Sequence, residues 1–264
     1  MKATLERTFL DELALNGRVI TAIVLRETKT KFGKYKFGYA WAFVEPIVYV
    51  TLFVFVRSFM AGSSAIGTQM VIFIITALLA FRMFMAIASS SMKAIQANIA
   101  LLAFPPVKPI DCIFARVLLE ALTMAVIWAI FYTALTSVSE TRVIVDYKNL
   151  VAAFFAIVLL GAGVGTFNAV ISSLFSWYDR IWSMSTFPLF IMSGVFFSPS
   201  QLPQGARNIV EWNPVTHCLE WVRVSTQFTY HPMLDKTFVL ATGFGLLAAG
   251  LLLERMNRYR MLNQ

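Results

Sequence analysis

Six apolar runs constrain this chain more than any other feature in it. They cover about 39–60, 70–90, 112–135, 150–175, 181–197 and 238–253. A bilayer core takes about 20 mostly apolar residues to cross as a helix. Lipid offers no water to an open backbone, so such runs are obliged to become helices. The expected class is an all-α integral membrane protein with six transmembrane helices. Composition agrees, with 58% hydrophobic and 14% charged residues over 264 residues and a mean hydropathy of +0.71. A soluble domain is nearer half apolar and a quarter charged. The fifth run is short, so it is expected to tilt or to cross where the bilayer is thin.

Charge sets the orientation. The net charge of +8 would point to nucleic acid in a soluble protein. In a membrane protein it reads instead as cations kept on the cytoplasmic side, where anionic lipid attracts them. The first twenty residues lack the unbroken apolar stretch of a signal peptide, so the N-terminus is expected inside. The segments assigned to the cytoplasm then hold fourteen Lys and Arg, against five outside. Both termini are expected in the cytoplasm, with a tail at 256–264. Cys112 and Cys218 fall on opposite sides of that arrangement and are not expected to form a disulfide.

Three connecting segments are unusual. Residues 1–38 carry Leu5, Phe9, Leu13, Ile20 and Val24 near helical spacing, with charges between them. That pattern suits an amphipathic helix on the membrane surface, interrupted around Asn16-Gly17. The inner connection at 93–109 is too polar to cross and too long for a turn. Its front part is expected to form a short helix that Pro105, Pro106 and Pro109 then stop. The outer connection at 198–236 mixes Pro, Trp, Phe and Tyr with charges. Two short helices dipping back into the outer leaflet fit it, because irregular backbone survives there under a cover of protein or water.

Recognisable catalytic chemistry is missing. There is no phosphate-binding G-x-x-x-x-G-K-[ST], no H-E-x-x-H and no CxxC pair. Ser172 and Ser173 lack a G-x-S-x-G setting. Charges inside the spans say more, since a central Arg or Asp costs roughly 2.5–3.5 kcal/mol on insertion scales. Glu45 lies early in the first span, before Pro46. Arg116 and Glu120 are four apart on one face of the third span, where they can pair with each other. Such a pair serves a functional site or simply neutralises itself at a helix contact. Arg82 stands mid-span without a carboxylate within a turn. A polar cavity, a partner from another helix or snorkelling would relieve it. Gly161 and Gly165 form a GxxxG that favours close helix packing.

The stretch "LRETKTKFGKYKFGYAWAFVEP" (Leu25–Pro46) packs five cations against an apolar run. With "PVKPIDCIFARVLLE" (Pro106–Glu120), "SGVFFSPSQLP" and "WNPVTHCLEWVR" (Ser193–Arg223), it carries a family resemblance over nearly the whole chain. The sequence resembles the transmembrane subunit of ATP-binding-cassette capsular polysaccharide exporters, the KpsM-type permeases. The wider family includes O-antigen and teichoic-acid exporters. Arg82 departs from the pattern, which has an apolar residue expected there.

The resemblance implies a non-catalytic homodimer in the inner membrane of a Gram-negative bacterium. Two separate ATPase subunits would hold the ATP and Mg, leaving no cofactor in this chain. The cargo would be a lipid-linked acidic polysaccharide, passed through a canal between the two copies. A periplasmic co-polymerase-type protein and an outer-membrane export protein would receive it. On this reading Arg26, Lys29, Lys31, Lys34 and Lys36, with Glu45 and Arg82, form a cytoplasmic gate that attracts an anionic glycolipid head. Orientation and contact with anionic membrane lipids explain the basic strip equally well. Asn98, Leu101, Leu102 and Phe104 would form the knob that enters the ATPase. Trp212, Asn213, Pro214, His217, Glu220 and Trp221 would line the exit or dock the periplasmic partner, although Trp is enriched at any membrane interface. His217 reads as hydrogen-bonded structure rather than as a catalyst. A small-lipid or drug exporter of the same fold and an oligomeric channel are the competing readings. A secondary transporter fits less well, because no internal repeat is visible.

Overall fold

The computed structural model describes residues 9–32, 44, 47–49, 51–52, 55, 68–102, 107–138, 143–226 and 232–262. Most of the first apolar run lies outside these residues, as do Lys34, Lys36, Glu45 and Phe104. The described residues form helices and their connections, without a strand among them. Helix α1 spans Phe9–Phe32 and α2 spans Thr68–Met92. Two single-turn helices follow, α3 (Ala94–Ala97) and α4 (Ile99–Leu102). Then come α5 (Pro109–Val138), α6 (Tyr147–Leu174) and α7 (Tyr178–Met192). A 3₁₀ turn at Pro199–Gln201 leads to α8 (Gln204–Val210), α9 (Pro214–Val224) and α10 (Lys236–Leu262).

Four of the described helices are long and apolar enough to cross a membrane: α2, α5, α6 and α10. The 25 residues of α2 reach about 37 Å, beyond a hydrocarbon core of about 30 Å. Helix α7 has 15 residues, or about 22 Å, and contains Pro188. It stops where Gly194 takes φ +74°, a left-handed turn that a side chain would strain. Local chemistry fixes other ends. Pro109 opens α5, and the Asp111 carboxylate reaches back to accept the Lys108 N–H at 2.9 Å. Asp146 caps α6 by accepting the Asn149 N–H, and Asn213 caps α9 ahead of Pro214.

Helix α6 is the centre of the bundle, packed between α2 and α10. Glycines bring these helices close. A Cβ on Gly165 would lie 2.7 Å from Ser91 Cβ, and one on Gly161 would lie 3.0 Å from Ile87, so this face belongs to α2. On the other face, a Cβ on Gly163 would come within 2.5 Å of the Gly243 carbonyl of α10. The G-x-x-x-G run is thus a packing surface toward α2, with Gly163 serving α10. Helix α1 runs unbroken through Asn16 and Gly17. The expected interruption is absent because one glycine costs a helix only about 1 kcal/mol. Cys112 and Cys218 are both free and buried.

Candidate functional site

A polar cluster joins α1 to the turn α3–α4 and to α5. The Arg116 guanidinium donates to both Glu27 oxygens at 3.0 and 3.2 Å and to the Ser90 carbonyl at 3.0 Å. The Lys31 ammonium donates to both Glu120 oxygens at 2.6 and 2.7 Å. Arg116 and Glu120 therefore do not pair with each other, contrary to the expectation from their spacing. Each turns to α1 instead. Both contacts join residues 89 positions apart, so the four-residue spacing of Glu27 and Lys31 on α1 matches that of Arg116 and Glu120 on α5 with the charges reversed. Glu27 and Arg116 are largely buried, and removing either would leave its partner charge facing a dry contact.

Asn98 sits inside this cluster. Its Nδ2 donates to Glu27 Oε1 at 2.6 Å and to the Ala94 carbonyl at 3.0 Å. Its Oδ1 accepts from Arg26 Nη1 at 2.9 Å. At 2% exposure, Asn98 cannot belong to the outer surface of a knob. Leu102 is buried too, and Leu101 is half-buried. The turn instead presents Lys93, Gln96, Ala97, Ile99 and Ala100 outward. Gln96 also reaches inward, donating to the Ser172 carbonyl and hydroxyl at 3.1 Å. Ser172 in turn donates to Asp179 at the start of α7.

The basic strip is divided by these contacts. Arg26 is held by Asn98 and Lys31 by Glu120, while Lys29 stands exposed beside Leu25 and Thr30. Arg82 borders a groove of about 490 Å³ between α2 and α7, otherwise walled mainly by Leu78, Phe81, Met85, Phe187 and Phe190. Its guanidinium lies 4.7 Å from the centroid of the Tyr49 ring. Helix α7 has no buried residue, and Ile181, Met184, Phe187 and Ile191 form an exposed apolar stripe along it.

At the opposite end, α9 is almost wholly buried. Arg223 and Glu220 pair at 2.8 Å with both side chains at 0% exposure. The same guanidinium donates to the Gly194 and Val195 carbonyls at 2.7 and 3.0 Å, and it lies over the Phe73 ring. The second Glu220 oxygen accepts the Met233 N–H. His217 Nδ1 accepts the Asp235 N–H at 3.1 Å, so Nε2 carries the ring hydrogen and donates to the Glu211 carbonyl. Trp221 donates to Asn149, which also accepts from Lys236. Asn213 donates to Ser193. Of the six residues expected at an exit surface, Trp212 is 80% exposed and Pro214 and Asn213 are half-buried. His217, Glu220 and Trp221 are internal supports.

Four span-length apolar helices, with no strand among the described residues, place the molecule in the class of polytopic all-α membrane proteins. Residues 18–226 match the ABC-2 type transporter family, and the chain belongs to that family. It is 29% identical over 252 residues to the capsule polysaccharide export inner-membrane protein BexB of Haemophilus influenzae, covering 94% of each chain. It is 29% identical to the polysialic acid transport protein KpsM of Escherichia coli, over 77% of this chain and 79% of that one. The capsule polysaccharide export inner-membrane protein CtrC of Neisseria meningitidis serogroup A is 28% identical over 84% of each.

Proposed function

We propose that this chain is the permease subunit of an ATP-driven exporter. It moves a lipid-linked acidic capsular polysaccharide across a bacterial inner membrane. The observation that carries this reading is near full-length similarity to relatives named for capsule polysaccharide export. The chain adds no catalytic group of its own; ATP and Mg belong to two separate ATPase subunits. Six spans are completed by the run at 39–60 and by the short α7. Helix α1 lies along the inner interface, α8 and α9 form the re-entrant outer segment, and both termini face the cytoplasm.

Two copies would meet along the exposed stripe of α7 and enclose a canal. The Arg82 groove supports this, since it places a cation in an otherwise apolar wall beside that stripe. Lys29, with Lys34 and Lys36 beyond α1, attracts the anionic head at the inner mouth. The exposed face of the inner turn, centred on Ile99, takes the ATPase. Trp212 offers an aromatic surface on the outer side for sugar or for the periplasmic co-polymerase-type and outer-membrane partners.

Deletion of the gene tests the reading. Surface capsule is expected to vanish while finished polymer accumulates in the cytoplasm, and plasmid-borne protein restores export. Normal capsule with altered sensitivity to lipophilic drugs would instead identify a small-molecule exporter.

A further inference from the structure

The buried Asn98 amide does two opposite jobs at once. It donates to the Glu27 carboxylate at 2.6 Å and accepts from the Arg26 guanidinium at 2.9 Å. A third bond, to the Ala94 carbonyl at 3.0 Å, fixes the amide to the turn α3–α4 itself. Glu27 is also gripped by Arg116, which holds the last turn of α2 through the Ser90 carbonyl. The turn is therefore joined to α1, α2 and α5 through one side chain and its immediate partners. A surface contact needs none of this. An amide confined at 2% exposure between two charges of α1 transmits a displacement because it cannot slip past either.

We infer that Asn98 is a positioning residue that passes movement of the inner turn to α1, with Glu27 and Arg26 as the receiving groups. This rests on the reading that the turn takes the ATPase. It differs from that reading in assigning Asn98 no contact with the ATPase at all. When nucleotide-driven motion pushes the exposed face of the turn, α1 is pulled by the amide. Arg116 carries the same pull to α5, and the Lys31–Glu120 contact ties the two helices a second time.

The chemistry makes a sharp test available. In Asn98→Asp the donor becomes an oxygen, so a carboxylate faces the Glu27 carboxylate. In the double variant Glu27→Gln with Asn98→Asp, the donor and acceptor are exchanged. The introduced glutamine amide would then donate to the introduced carboxylate, which would still accept from Arg26. The glutamine oxygen would still face Arg116. The full chain with its ATPase is assayed in membranes for co-purification, ATP hydrolysis and polymer exported per ATP.

For N98D, the ATPase is expected to remain bound and active while export per ATP falls about tenfold, the scale of a lost charge-assisted bond. The E27Q/N98D variant is expected to return the share carried by the contact with residue 27, while the bond to the Ala94 carbonyl stays lost in both variants. Parental export per ATP in N98D overturns the inference, as does a stable double variant that stays as low as the single one. If N98D fails to accumulate, Asn98→Ser replaces it, being uncharged but too short to span both partners. Parental export per ATP in N98S then overturns the inference. Failure of the ATPase to bind the parent chain would refute the underlying reading instead, and is seen in the same experiment.

Discussion

Arg223→Met is expected to destabilise the α9 end of the bundle by about 3–5 kcal/mol, the range for removing one partner of a buried ion pair. Two observations put it there. Arg223 and Glu220 are both at 0% side-chain exposure, so neither charge has bulk water to fall back on. The guanidinium also holds the Gly194 and Val195 carbonyls just after α7, where Gly194 turns the chain at φ +74°. Methionine fills the volume but leaves the Glu220 carboxylate and both carbonyls without that donor. The loss corresponds to a fall of about 10 °C in melting temperature for a chain of this size. The assay is the monodisperse fraction of detergent-solubilised protein after heating. Arg223→Lys should fall between parent and R223M, because an ammonium lacks the planar fork and the stacking on Phe73. R223M with Glu220→Leu should recover only the share due to the stranded Glu220 charge, because the Gly194 and Val195 carbonyls and the Met233 N–H still lose these partners. A melting point for R223M within about 2 °C of the parent would mean that the buried pair does not hold this end of the bundle.

Gly163→Ala should separate α6 from α10 and cost about 1–3 kcal/mol, whereas Gly205→Ala, which meets nothing within 4 Å inside α8, should not lower the melting temperature. Ile99→Asp should weaken ATPase co-purification without lowering thermal stability, because Ile99 is half exposed on the turn; unchanged association would remove that contact. Asp146 sits outside the span at the start of α6, where the Asn149 N–H and then its side-chain amide hold the carboxyl below the usual range. A lowered folded value means that its contribution is complete above the ordinary carboxylate range and fades as pH falls through the lowered one. Asp146→Asn should therefore trail the parent near neutral pH and converge with it in acid; a constant gap across that window would contradict the assignment.

The long helices are legible in the sequence because lipid demands a continuous apolar run, and α2, α5, α6 and α10 each supply one. Their ends are less so. Hydropathy stops near Leu253, yet α10 continues to Leu262, carried onward by the Glu254–Arg258 pair at 3.0 Å. Spacing alone suggests that Arg116 meets Glu120, because a sequence displays neighbours on one helix and hides those on another. A clue to the true partners lies in Glu27 and Lys31, which repeat the four-residue spacing with reversed charge. Asn98 looks like a surface residue in the sequence because polar residues in connections usually are; only packing against α1 reveals it as buried. Arg223 passes for an outer cation for the same reason. An i,i+3 Glu–Arg pair looks alike in sequence whether water or Phe73 covers it.

Reconstitution of the purified chain in liposomes, with and without its ATPase, shows whether export needs the ATPase. Lipid-linked acidic polymer is supplied on the ATPase-accessible side, and its arrival in the lumen is measured with a lumenal glycan lyase. ATP-dependent movement is expected only when the ATPase is present, from a particle whose mass fits two copies of this chain and two ATPase subunits. Movement by the chain alone, or a fully assembled complex that hydrolyses ATP yet moves no acidic polymer, would contradict it.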